Sequence, residues 1–236
     1  SFNIYGTGLT RVMRTVTSRL AGEFEIDYLG IGYSEPTAVI DGVRMHPTNP
    51  CGGDVFAAFQ AIEMAAENPP DVVFILHDIW MFEYYARVLA PLRERSRLVA
   101  YIPLDGNIID ESIVAPLRGL DYVVVYTEWA ADQIRGAIQR LVEKGETDDF
   151  PPIRVIYHGV EMSTFAARPE LVAAGYDPLG RAEIKREVFP TLDDPEDTFI
   201  VLNAARPAVR KRVDLTIAGF AAFANDKPPG VKLCLH

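Results

Sequence analysis

Cysteine is nearly absent from this sequence: Cys51 and Cys234 are the only two among 236 residues. They make no Cys-x-x-Cys and no paired spacing, which argues against a disulfide framework or a zinc site and fits a reducing cytoplasm. Positive charge is also scarce. Against 33 Asp and Glu stand 23 Lys and Arg, for a formal net charge of -10, and a general nucleic-acid binder needs distributed cations that are missing here. No apolar run reaches about 18 residues and no basic stretch leads into a short apolar one, so neither a transmembrane helix nor a signal peptide is read. Short-period repeats and low-complexity tracts are missing too.

What is present is enough chain to bury a full core, as one large domain or two small ones. Its opening, SFNIYGTG, reads as the tail of a strand entering a Gly-containing turn, and it stops inside the strand-like VKLCLH. We therefore expect a fragment. Gly6 and Gly8 would let backbone N–H groups approach a ligand, with Thr10 as N-cap of a helix whose face carries Val12, Val16 and Leu20. EFEIDYLGIGY then reads as a strand, and TAVIDGVRMHP as a strand or hairpin turning at Asp41-Gly42. The spacing of Val55, Phe59, Ile62 and Ala66 predicts a helix over 54–68, ended by Pro69 and Pro70.

From residue 71 a theme repeats. DVVFILHDIW, RLVAYIPLDG, YVVVYTEWA and IRVIYHGVE each run through apolar residues and then turn abruptly polar. Such continuous runs suit strands buried on both faces of a parallel sheet. Helical segments lie between them: one after Trp80, irregular at Pro91, and another after Thr127 or Glu128 as cap. The alternation predicts an α/β, doubly wound, Rossmann-like domain over 1–161. The strand ends His77 and Asp78, Asp105, Thr127 and Glu128, and His158 would then share the sheet's carboxyl edge, where open α/β sheets bind ligands. Each has a plain structural alternative as turn former, helix cap or buried imidazole.

Residues 162–197 are richer in Pro, Asp and Glu and read as an interdomain connection with one short helix, GRAEIKREVF. At 198–236 a strand, a helix with Leu215, Ile217, Phe220 and Phe223 on its apolar face, and a second strand make the first βαβ unit of a second Rossmann-like domain. Arg206, Arg210, Lys211 and Arg212 crowd the expected start of that helix, where the macrodipole disfavours cations. An anion such as a phosphate would offset them; a solvated basic turn is the alternative.

The turn TGLTRV, the strand end VIYHGVE, the segment LNAARPAVRKRVDLTIAGF and the following VKLCLH together resemble the retaining glycosyltransferases of family four, which have the two-domain glycosyltransferase B fold. Arg206 with Lys211 matches that family's pair holding the donor diphosphate, and the likeness extends over nearly the whole chain. It implies a sugar transfer from a nucleotide-sugar donor to a carbohydrate, lipid or other hydroxyl acceptor, with retention and with neither metal nor cofactor. Arg206 and Lys211 would stabilise the leaving diphosphate, and Gly8 would face donor phosphate or acceptor. Where many members carry an acceptor-side His, this chain has Asp105, which we prefer as the contact to sugar hydroxyls; His77 is the second candidate. The family's acidic pair for the donor sugar would fall after His236, so the fragment itself should not turn over. A cytoplasmic place is implied, peripheral to a membrane if the acceptor is a lipid. A noncatalytic nucleotide- or sugar-binding module and a sugar-nucleotide epimerase stay open as alternatives.

Overall fold

The computed structural model describes residues 8–48, 52–162, 178–205 and 208–236. The chain divides into two compact units, Ser1–Gly159 and Val160–His236. Gly6, Cys51 and Arg206 lie outside the described residues.

In the first unit, helix α1 (Gly8–Leu20) leads to strands β1 (Asp27–Gly30), β2 (Ala38–Ile40) and β3 (Val43–Pro47). They form a three-stranded sheet in the order β1-β3-β2, with β1 parallel and β2 antiparallel to β3. Asp41 and Gly42 join β2 to β3 at φ 53° and 79°, the two left-handed residues that a tight hairpin turn requires. The helix differs from its expected register. It is already helical at Gly8, so Thr10 is not its cap but a residue of its first turn, buried together with Thr17. Val12 and Val16 are half-buried, whereas Leu20 is exposed.

Helix α2 (Ala58–Glu67) then leads to β4 (Val72–Leu76), α3 (Phe82–Val88), β5 (Arg97–Ile102), β6 (Tyr122–Val125), α4 (Glu128–Glu143) and β7 (Ile153–Val155). Strands β4 to β7 form one sheet in sequence order, every neighbouring pair parallel. This is an α/β architecture built on a parallel sheet. Between β5 and β6 runs a nine-residue 3₁₀ segment, Glu111–Gly119, with Pro116 inside it. Proline removes a backbone donor and opposes a regular α-helix there. Leu98, Ile102, Val123 and Val125 of the strands pack with Phe82, Leu89, Val114, Leu117 and Ile134 in one core. Burying a side chain of this size contributes about 1.5–3 kcal/mol.

The expected face of α2 is rotated. Val55 and Phe59 are exposed, while Ala58 and Ala65 are buried with Ala61 and Ile62 packed beside them. The helix also starts later than its pattern suggests, because Asp54 folds back to accept from the N–H groups of Gln60 (2.9 Å) and Phe59 (3.4 Å). Between them Ala57, buried, holds a left-handed φ of 58°. β1 and β4 each end their sheet, and both line a cleft of about 390 Å³ together with Leu9 and Met13 of α1.

The second unit contains α5 (Pro178–Val188), β8 (Phe199–Asn203), α6 (Val213–Ala224) and β9 (Val231–Leu235), with β8 and β9 parallel. Here the expected apolar helix face is only partly covered. Phe220 is half-buried, but Leu215, Ile217 and Phe223 are exposed. No helix among the described residues is long and apolar enough to cross a membrane.

Candidate functional site

Parallel pairing puts the carboxyl ends of β4 to β7 on one edge. Leu76 lies opposite Tyr101, Ile102 opposite Val125, and Val125 opposite Val155. The chain therefore leaves the sheet on the same side at His77-Asp78, at Asp105, at Tyr126-Thr127 and at His158.

His77 is partly buried, its ring meeting Phe56 at 5.5 Å and Trp80 at 5.7 Å edge to face, and Tyr85 at 6.0 Å. Burial pushes its pKa below the usual histidine value, although the Asp78 charge opposes this. The Asp78 N–H donates to His77 Nδ1 at 2.8 Å. The neutral ring must then carry its proton on Nε2, which has no hydrogen-bond partner among the described residues. Left-handed Ala57 and the Tyr85 hydroxyl, donating to the Phe56 carbonyl at 3.3 Å, hold Phe56 against this imidazole. A strained residue next to a partly buried histidine is the kind of arrangement found at functional sites.

At the other end of the rim the His158 ring stacks on Tyr126 with centroids 4.4 Å apart and planes 21° from parallel. Tyr101 meets the same imidazole edge to face at 5.3 Å, and its hydroxyl donates to the Ile156 carbonyl at 2.9 Å. Burial lowers the His158 pKa. Burial, and then the charges of Asp105 and Asp78, raise the Tyr126 phenol above its ordinary value. Tyr126, at the exit of β6, shares the carboxyl edge with Asp78 and Asp105, which follow β4 and β5.

Neither Asp78 nor Asp105 has a side-chain hydrogen bond or a cation partner among the described residues. The opposite edge of the sheet is mixed, since Asp71 there also has no side-chain partner among the described residues. There Asp121 accepts from the Leu98 N–H (2.8 Å) and from Arg97 (2.8 Å), a purely internal arrangement. Open α/β sheets bind ligands at the carboxyl edge, and Asp78 and Asp105 stand there without a partner among the described residues, which makes this rim the candidate site. The rim offers two open acceptors, a phenol, one imidazole N–H and several aromatic faces, a set suited to a neutral, hydroxyl-bearing ligand.

Other expected residues are disposed as follows. Thr127 is the N-cap of α4, its hydroxyl accepting from the Ala130 N–H at 3.1 Å, and Glu128 is exposed in the first turn. Gly8 opens α1, and a Cβ there would meet nothing within 4 Å. Lys211 ends a short 3₁₀ turn, Val209–Lys211, and is exposed. Arg212 takes a left-handed φ of 46° and pairs with Asp214 of its own turn at 2.7 Å. The anion expected to offset the basic cluster is, for Arg212, this carboxylate. Among the described residues no three His, Cys, Asp or Glu side chains gather as a metal site.

Sequence reasoning missed Tyr126 and Trp80. Tyr126 follows the VVV of β6 directly, the same strand-exit position as His77, and that position was its only signal. The cleft between β1 and β4 has Asp27, Arg44, His46, Glu67 and Asn68 in its lining, and Asp27 is bonded to both Arg44 and His46. It runs along strand edges, whereas four strand exits converge at the rim, which we take as the candidate site. Compared with models of protein families and with curated proteins, the chain matches none.

Proposed function

We propose that this chain acts as a retaining glycosyltransferase, with the sheet edge of the first unit serving the acceptor and the basic turn of the second serving the donor. The observation that carries the reading is the parallel pairing that brings Asp78, Asp105 and Tyr126 to one sheet edge, with neither carboxylate partnered among the described residues. In this role Asp105 and Asp78 accept hydrogen bonds from acceptor hydroxyls. His77, neutral at pH 7, donates through Nε2 and orients the acceptor. Arg206 and Lys211 serve the donor: their charge stabilises the diphosphate as it leaves. The new bond joins the acceptor oxygen to the anomeric carbon, the bond from that carbon to phosphate breaks, and the acceptor proton passes to a phosphate oxygen. Positioning and positive charge supply the rate enhancement, with no protein nucleophile.

Calorimetric titration with UDP, GDP and ADP tests the donor half. We expect one of them to bind and its affinity to fall about tenfold or more in Lys211→Ala, the loss of about 1.4 kcal/mol. Failure of all three to bind would remove the transferase reading. One observation favours a second reading, a noncatalytic sugar-binding module: Arg212 is already paired with Asp214, which leaves fewer cations for a diphosphate. That reading predicts sugar binding without nucleotide binding.

A further inference from the structure

We propose that Trp80 is the stacking platform of a pyranose subsite at the β4 corner of the rim, where Asp78 and His77 read the hydroxyls of the ring laid upon it. The proposal rests on the transferase reading only in calling that sugar the acceptor.

The local fold forces Trp80 outward. It is the middle residue of the 3₁₀ turn Ile79–Met81, whose two other side chains are buried at 6% and 5% exposure. With both neighbours anchored in the core, the indole is left 58% exposed. This is no loose surface residue on a mobile tip: the turn is held at the end of β4, and the His77 ring braces the indole edge to face at 5.7 Å. Ring contacts continue from His77 through Phe56 to Tyr84 and Phe59.

The polar groups beside it select the occupant. Asp78, two positions earlier in the chain and the residue that opens the same turn, has no side-chain partner among the described residues, and its charge opposes a phosphate or another anion. It equally opposes an acyl chain, which would desolvate the charge without pairing it. A pyranose answers both halves of the site. Its C–H face is apolar and flat enough to lie on an indole, and its hydroxyl edge both donates to a carboxylate and accepts from the His77 Nε2–H. The subsite therefore takes a neutral sugar ring, and the acceptor of the proposed transfer is a carbohydrate at this position.

The chain has two tryptophans, Trp80 and Trp129. In the Trp129→Phe protein, emission reports on Trp80 alone. We expect a saturable change in that emission with at least one of methyl α-glucopyranoside, methyl α-mannopyranoside and methyl α-galactopyranoside, at concentrations up to about 100 mM. Asp78→Asn should weaken it roughly tenfold. In ligand-observed NMR with the otherwise native chain, binding should persist in Trp80→Phe and vanish in Trp80→Ala. No response to any of the three glycosides, an unaltered titration in Asp78→Asn, or displacement of the glycoside by decanol would each overturn the subsite. UDP, GDP and ADP run in parallel separate this proposal from the transferase reading. Nucleotide binding without glycoside binding sinks the platform and leaves the transferase; glycoside binding without nucleotide does the reverse. A nucleotide that itself quenches Trp80 would show a base stacking there, and would also overturn the sugar subsite.

Discussion

Asp27 shows how one side chain links packing to pH. Burial alone would raise its pKa, but hydrogen bonds and charge from His46 (2.7 Å) and Arg44 (3.0 Å) hold it below the ordinary 3.8. A carboxyl depressed on folding contributes stability that is complete above its unfolded pKa and is lost as pH falls through the folded one. We therefore expect Asp27→Asn to destabilise the chain near pH 7. The gap to the native sequence should close as pH drops below 3.8, and urea unfolding across acid pH reads it. A gap that stays constant into acid would contradict this assignment. The site residues obey the same local logic. His77, Asp78, Asp105 and His158 were legible because each ends an apolar run, whereas the stack of His158 on Tyr126 joins residues 32 apart in sequence (158 minus 126) and has no local signature.

At the scale of elements, α4 is the clearest case of sequence chemistry deciding a boundary. Its Thr127 cap is extended at φ -146° and ψ 151°, and five apolar residues from Ala130 to Leu141 are buried along one side. Removing the capping hydroxyl leaves the Ala130 N–H without its partner, so Thr127→Ala should cost about 1 kcal/mol in urea unfolding. A variant as stable as the native chain would show that the cap is idle. Periodicity served less well for α1, α2 and α6. α2 and α6 carry apolar side chains around much of their circumference, and the amphipathic α1 buries Thr10 and Thr17 rather than Val12 and Val16; which stripe is covered depends on the neighbouring layer. In α2 the covered stripe is the alanine one, because Ala58 and Ala65 allow close approach where Phe59 would not.

The molecule as a whole concentrates its burial in the β4 to β7 layer. Leu98 and Ile102 have no exposed surface, whereas in the second unit Leu215 is 56% exposed. Leu98→Ala should therefore cost about 2–5 kcal/mol, and Leu215→Ala less than about 0.5 kcal/mol, both measured by urea unfolding. Comparable losses at the two positions would show that this apolar helix face is covered in solution. The sequence by itself determined the apolar strands, the hairpin turn, the α4 cap and the polar strand exits, because these follow from propensity and turn chemistry within a few residues. Only the tertiary structure decided which helix stripes are buried, that Trp80 is driven outward by its buried neighbours, and that the His158 ring stacks on Tyr126 beside Tyr101. Those outcomes depend on parallel pairing between segments far apart in the chain, which no local pattern encodes.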